Sequence, residues 1–290
     1  MIYYILLAVS LCLCVAKNIL SKYGEKSFGF LNGIMSVNII TAIFAMIIFM
    51  SGVSYMKEAA NLLFVAMAFA YGAFTLGMQS FYIAAVKGGS VSICSLIYAS
   101  SFMIPTIYSV LRNGEKVTAT KVFGVALIII SVILVSFKNK NGGKISGKSI
   151  KFAILAMLSS GCVGILQKEF GNIYSRKLLN TFLLLSFSFM LLFALLFKIV
   201  LFKKKDAQKI IYNKSFFVPG ILLALSTVFV NKLNLMLAAN IPGIIFFPLL
   251  NGGVIMLSAV CSGILFKEKI TKRMWLGLIL GIFAVIVISL

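Results

Sequence analysis

The chain has 290 residues, of which 61% are apolar and 11% charged, and its mean hydropathy is +1.10. A soluble domain carries about 25% charged residues, and no soluble core of this size hides so much apolar surface, so a soluble fold, disorder, a disulfide scaffold and a coiled coil are excluded in favour of a bilayer. The 27 Lys and Arg against 6 Asp and Glu, with no His, give a net charge of +21; in this setting that marks basic loops facing anionic lipid on the cytoplasmic side, not nucleic acid.

A membrane-spanning helix takes about 20 mostly apolar residues. In chain order, ten runs qualify: 2–20, 31–51, 62–85, 90–111, 118–137, 151–167, 178–197, 216–237, 243–266 and 274–290. The first lacks a basic leader and is long for the core of a signal peptide, so it is expected to be a span. Between the fifth and sixth runs lies the basic, Gly/Ser-rich stretch Lys138–Ile150, "KNKNGGKISGKSI". It reads as a cytoplasmic linker between two five-helix units, 1–137 and 151–290. Cys12, Cys14, Cys94, Cys162 and Cys261 all fall in apolar runs, with no C-x-x-C pair. They are expected to be core residues, with no metal, disulfide framework or cofactor.

The two halves repeat. At a fixed offset of 153, Ala85 meets Ala238, Met103 meets Met256 and Ser109 meets Ser262. Further along, Glu115-Lys116 meets Glu268-Lys269, Thr118 meets Thr271 and Gly124 meets Gly277. Leu20-Ser21-Lys22 weakly echoes Leu166-Gln167-Lys168. Five helices per half is an odd number, so the second half enters from the opposite side. The expected fold is an all-α membrane protein of ten transmembrane helices in two inverted five-helix repeats, an arrangement suited to alternating access. The connections on one side carry 18 Lys and Arg and those on the other carry 7. The richer side is expected to be cytoplasmic, with both termini outside the cytoplasm, in a multi-pass protein of the cell membrane.

The stretches around Pro105, Gly114-Glu115-Lys116 and Gly124, and around Pro248, Glu268-Lys269 and Gly277, resemble the EamA-like branch of the drug/metabolite transporter superfamily. The resemblance covers nearly the whole chain and implies a ten-helix carrier of small metabolites, with export the implied direction. It implies no particular substrate, and Lys267 replaces the glycine found at Gly114. Read without the family, Thr118 and Thr271 are candidate N-caps, and the glutamates sit near helix N-termini whose dipole favours an anion.

The six acids Glu25, Glu58, Glu115, Glu169, Asp206 and Glu268 all fall in predicted connections. With no His and no embedded carboxylate, neither a proton relay nor an acid–base catalytic pair is available, so an enzyme is not expected. The predicted helices carry Lys and amides instead. Lys232 stands in "VFVNKLNLML" between Asn231 and Asn234, about six residues past its helix centre, where snorkelling and a water-filled cavity both remain open. Asn251 lies mid-helix, between Pro248 and Gly252-Gly253, where a weakened helix can expose polar groups to a ligand. Asn38, Gln79 and Tyr98 complete the candidate substrate set with Lys232, Asn234 and Asn251. Lys17 reads as a snorkelling residue. Gly277-x-x-x-Gly281 fits a small-residue packing motif, within the chain or in a homodimer, so monomer and homodimer both stay open.

The expected function is secondary transport of a small metabolite, an amino acid or organic acid, by alternating access. The alternative is a flippase for lipid or a lipid-linked carrier; an embedded enzyme and a non-transporting scaffold rank below both. The charge bias makes a direct prediction. A cysteine placed in Lys138–Ile150 will react with an impermeant maleimide only from the cytoplasmic side, and labelling from outside intact cells would reverse the orientation.

Overall fold

In hydrocarbon every backbone N–H and C=O must be satisfied within the chain, so apolar runs of this length become helices. The computed structural model describes residues 2–28, 31–87, 94, 97–136, 146–203, 214–265 and 271–289. Within them the regular structure is all helical. The first half contains α1 (Ile2–Phe28), α2 (Leu31–Ile48), α3 (Leu62–Lys87), α4 (Met103–Asn113) and α5 (Ala119–Ser136). The second contains α6 (Gly147–Ile173), α7 (Leu179–Lys203), α8 (Lys214–Asn240), α9 (Gly243–Leu265) and α10 (Lys272–Ser289). Among the described residues six stretches are long and apolar enough to cross a bilayer: Ile2–Leu20, Leu62–Ala85, Gly147–Ile173, Arg176–Val200, Phe216–Asn240 and Gly243–Leu265. Asn32–Ile48 and Ala119–Val135 are shorter apolar helices.

Several helices outrun the apolar stretches that predicted them. Hydropathy marks where the chain meets lipid, whereas a helix ends where its backbone is capped. Thus α6 starts at a Ser146 N-cap whose side chain accepts from the Ser149 amide, four residues before the predicted run at 151. Glu169 falls in the last turn of α6 and Glu25 in that of α1, where connections were expected. The predicted run 90–111 is only partly described. Its described end passes through a 3₁₀ turn, Ser100–Phe102, before α4 begins. Pro105 lies in the first turn of α4, where its missing N–H is tolerated.

Paired contacts fix the relative directions. Tyr71 meets Gln167 and Phe81 meets Phe152, so α3 and α6 run antiparallel. Ser36 meets Lys198 and Phe49 lies near Phe187, which makes α2 and α7 antiparallel. Ser109 lies against Gly243 while Pro105 and Phe247 converge on Gly164, so α4 and α9 are antiparallel too. The same holds for α5 and α10, where Val135 meets Gly277 and Ser131 meets Gly281. By contrast α1 and α9 are parallel, as are α4 and α6. All these pairs follow if successive helices alternate direction. Three sets of neighbours match: α3 rests on α6 and α1 on α8; α3 meets α7 and α2 meets α8; α4 meets α6 and α1 meets α9, whereas α6–α8 and α5–α9 have no such counterpart among the described residues.

Two apolar clusters hold the helices. One joins α3, α6 and α7 through Phe64, Phe170, Phe182 and Phe187, with Phe64 and Phe182 edge to face at 5.6 Å. The other wraps α9 with Leu7, Ile128, Phe246 and Phe247. Outward, Leu276, Ile279, Ile282 and Phe283 of α10 are exposed, as a lipid-facing helix requires. The Gly277-x-x-x-Gly281 motif is occupied inside the chain. A Cβ on Gly277 would come within 2.8 Å of Val135, and the Ser131 hydroxyl donates to the Gly277 carbonyl at 2.6 Å. Trp275 and Tyr4 are exposed near helix ends, as interfacial anchors should be.

The tightest backbone approach joins the halves at α3 and α7. A Cβ on Gly72 would stand 2.4 Å from the Ser186 carbonyl oxygen. Gly72→Ala should therefore force the two helices apart and lower stability by roughly 1–3 kcal/mol. Gly147→Ala, with nothing within 4 Å, should be neutral or stabilising by up to about 1 kcal/mol. Thermal unfolding of both variants in detergent checks the contrast.

Candidate functional site

Polar side chains in the spans gather in two places. The first is a buried junction around Tyr71 of α3. Its hydroxyl donates to Asn231 Oδ1 at 2.7 Å and accepts from Gln167 Nε2 at 3.1 Å. Asn231 donates in turn to the Thr227 carbonyl of its own helix. One hydroxyl thus ties α3 of the first half to α6 and α8 of the second. Three residues further along α8, Asn234 Oδ1 accepts from Ser10 of α1 at 2.6 Å. Between these amides, the partly buried Lys232 holds its ammonium 5.8 Å from the centre of the Phe49 ring. Among the described residues it has no carboxylate and no hydrogen-bond acceptor.

The remaining candidates are spread more widely. Asn38 of α2 is 1% exposed, and its Nδ2 donor has no partner among the described residues. Thr75 Oγ1, one turn from Tyr71, is also buried and unpartnered. An unsatisfied buried group costs about 1–3 kcal/mol, so both positions suit a partner supplied from outside the protein. Gln79 is partly buried, two turns beyond Tyr71 on α3. Tyr98 stacks at a tilt on Tyr82 with ring centres 5.0 Å apart, and its hydroxyl lies 3.8 Å from Met78 Sδ. Asn251 donates to the Phe247 carbonyl one turn back on α9, so its Nδ2 is engaged within its own helix. The structure sets Asn234 against Ser10 of α1, turns Lys232 toward Phe49, and places Tyr98 beside α3 near Gln79. Asn38 and Asn251 stand on other helices, and Asn251 and Lys232 share no partner.

The second gathering is a polar cap over one end of the bundle. Gly114, at φ 60°, ends α4 in the left-handed conformation that glycine tolerates best. The turn carries Glu115 onto the N-terminus of α9. Its carboxylate accepts from the Gly243 and Ile244 amides at 2.8 and 3.0 Å and from the Ser109 hydroxyl. Lys168 of α6 lies 3.1 Å from the same carboxylate, with both side chains largely buried. Its ammonium also donates to the Ile241 carbonyl, at the end of α8, at 3.1 Å. The anion therefore sits at a helix N-terminus and the cation at a C-terminus, each where the dipole favours it. Around this core, Arg112 pairs loosely with Glu169 at 3.6 Å, and Asn172 bridges Asn113 and Glu169.

Burial works against the ionised form of Glu115. The Ser109 hydroxyl, the Ile244 and Gly243 amides and the Lys168 ammonium outweigh it and hold the carboxyl below its ordinary range. The sequence places Glu115 beside the N-terminus of the following helix. That end is instead capped by Thr118, as Thr271 caps α10, and Glu115 caps α9 across the repeat. Lys168 drew no role from the sequence because it stands one residue past a predicted span and reads as a loop charge. The only signal was its place in the echo of Leu20-Ser21-Lys22. Glu268, the repeat counterpart of Glu115, lies outside the described residues.

A cavity of about 150 Å³ opens beside the cap, lined among others by Phe170, Tyr174, Arg176 and Asn240. It includes none of the six candidate substrate residues. Among the described residues no group of His, Cys, Asp or Glu could hold a metal ion.

No family model matches the chain. An uncharacterized protein of Haemophilus influenzae (strain ATCC 51907 / DSM 11121 / KW20 / Rd) is 28% identical over 190 residues, covering 64% of this chain. The match spans 62% of that relative's length. A solved crystal structure resembles this fold with a TM-score of 0.75, at 11% identity, over 98% of this chain and 95% of the other. At that identity the likeness concerns the fold alone.

Removing one member of a buried ion pair leaves the other uncompensated, at a cost of about 3–5 kcal/mol. Glu115→Ala should lower thermal stability by that order, and Glu115→Gln/Lys168→Met should recover much of it. Because folding depresses the Glu115 carboxyl, its contribution is present above the ordinary glutamate range and is lost as pH falls through the depressed value. Acid titration of wild type and Glu115→Gln, followed by unfolding in detergent, should show this component only in the wild type.

Proposed function

We propose that the chain is a secondary transporter of the EamA-like kind, moving a small metabolite with a carboxylate or similar anion by alternating access. The site lies between two inverted five-helix halves in the cell membrane, with the termini on the non-cytoplasmic face. The observation that carries this reading is the set of matched neighbours. Exchanging each helix of the first half for its counterpart in the second turns α3–α6 into α8–α1, α3–α7 into α8–α2, and α4–α6 into α9–α1. The counterparts α2–α7, α4–α9 and α5–α10 pack on each other antiparallel, as a two-fold axis in the membrane plane requires. Such a chain can adopt two related packings, one open to each side.

The substrate class follows from the charges. Among the described residues no carboxylate lies in the middle of a span, so nothing there would neutralise a permanent cation. Lys232 offers an unpaired ammonium beside a polar junction joining both halves, and Asn38 and Thr75 have unused hydrogen-bonding groups. An anion or zwitterion supplies what these groups lack. Asn234, Gln79, Tyr98 and Asn251 are placed on the same proposed path as orienting contacts.

Purified protein in liposomes, assayed against a panel of amino and organic acids, tests the reading. A charge-assisted hydrogen bond contributes about 1.5–3 kcal/mol, so Lys232→Ala should weaken substrate affinity roughly ten- to a hundredfold. Lys232→Arg should restore part of the loss, and Lys17→Ala should matter less. Wild-type uptake by Lys232→Ala would remove Lys232 from the site.

A further inference from the structure

We propose that Glu115 and Lys168 form a latch that closes the end of the bundle carrying the α4–α5 and α8–α9 turns, and that it must part for the substrate path to open there. The proposal rests on the transport reading above and adds a gate to it. Glu115 belongs to the first half, on the turn after α4; Lys168, Ile241, Gly243 and Ile244 all belong to the second. The pair therefore bridges the two units whose relative movement alternating access requires. Its contacts reach the ends of four helices, α4, α6, α8 and α9, at one level. Asn113–Asn172 and Arg112–Glu169 repeat the same α4–α6 connection at the surface.

The chemistry suits a contact that opens and recloses. An apolar seam at this level would gain nothing from water on parting. Here each group released on opening finds a partner in water: the carboxylate, the ammonium, two helix-terminal amides and a carbonyl. The large desolvation cost of a buried ion pair is returned at the same moment, so closed and open forms lie closer in free energy than an apolar seam would allow. Polarity also sets register. Glu115 faces a helix N-terminus and Lys168 a helix C-terminus, so only one orientation recloses favourably.

Thr106 tests this directly. It is buried one turn below Ser109 on α4, beneath the latch. In a background lacking the five native cysteines, Thr106→Cys should react slowly with an impermeant maleimide added from the latch side. Adding Glu115→Gln/Lys168→Met should speed that reaction roughly tenfold, with no change in reactivity from the opposite side. Lys168→Arg should keep it slow. The exchange Glu115→Lys/Lys168→Glu should not, because each charge then meets the repelling helix end. This failure separates a latch from mere charge neutrality. As a second arm, Asn113→Cys/Asn172→Cys joined by a bifunctional thiol reagent keeps the latch residues intact. It should stop transport until the link is cleaved. Equal labelling with and without the pair, or full transport by the cross-linked protein, overturns the latch. The labelling arm needs no substrate, so the latch can fail while transport stands. A metabolite panel in which nothing moves would sink the transport reading, and labelling would still show whether this end opens.

Discussion

The cost of leaving a polar group unsatisfied among apolar helices organises this molecule. Away from its ends each described helix satisfies its backbone internally, and most buried side-chain polar atoms then find a partner on the same or a neighbouring helix. Ser36, Thr41, Thr106, Ser186 and Thr227 bond backwards to carbonyls of their own helices. What remains unsatisfied is therefore informative. Among the described residues Asn32 Oδ1, Asn38 Nδ2 and Thr75 Oγ1 stand out against that background, as does the ammonium of Lys232, which faces no carboxylate there.

The same constraint explains where charge sits. Buried ions survive only when paired and hydrogen-bonded, and Glu115 with Lys168 meets both conditions through helix ends. Glu115 satisfies two of the first amides of α9, and Lys168 satisfies a carbonyl at the close of α8. The α8–α9 turn needs both residues, though neither belongs to it. Apolar packing then does the rest. Phenylalanines fill the space between α3, α6 and α7, while glycines such as Gly72 allow the backbones of the two halves to touch.

Much of the fold was legible from the sequence because hydropathy acts locally. The positions of the apolar runs and the N-capping roles of Thr118 and Thr271 depend on neighbours a turn away, whereas the partner of Gly277 and Gly281, α5 of the same chain, came only from the structure. The candidate site was less legible. Lys232 and Asn234 were identified as embedded polar residues, but the hydroxyl that ties neighbouring Asn231 to Gln167, Tyr71, looks in sequence like any aromatic of an apolar helix. Lys168 was hidden for a related reason. Lys168 falls just past the apolar run that ends at 167, and only the packing of α6 on α4 and α8 shows that this charge is buried.

By itself the sequence determined that the chain is helical, with runs long and apolar enough to cross a membrane, since composition alone sets how much of a helix surface suits lipid. It also aligned residues of the two halves at a fixed offset of 153, which is a property of residue order. Only the tertiary structure decided which helices touch, because no local rule says that Glu115 caps a helix starting 128 residues later. Nor does one say that Tyr71 reaches Asn231 across 160 residues. Those partners are chosen by the packing of all the helices at once, where a buried polar group must take the one complementary group within its reach.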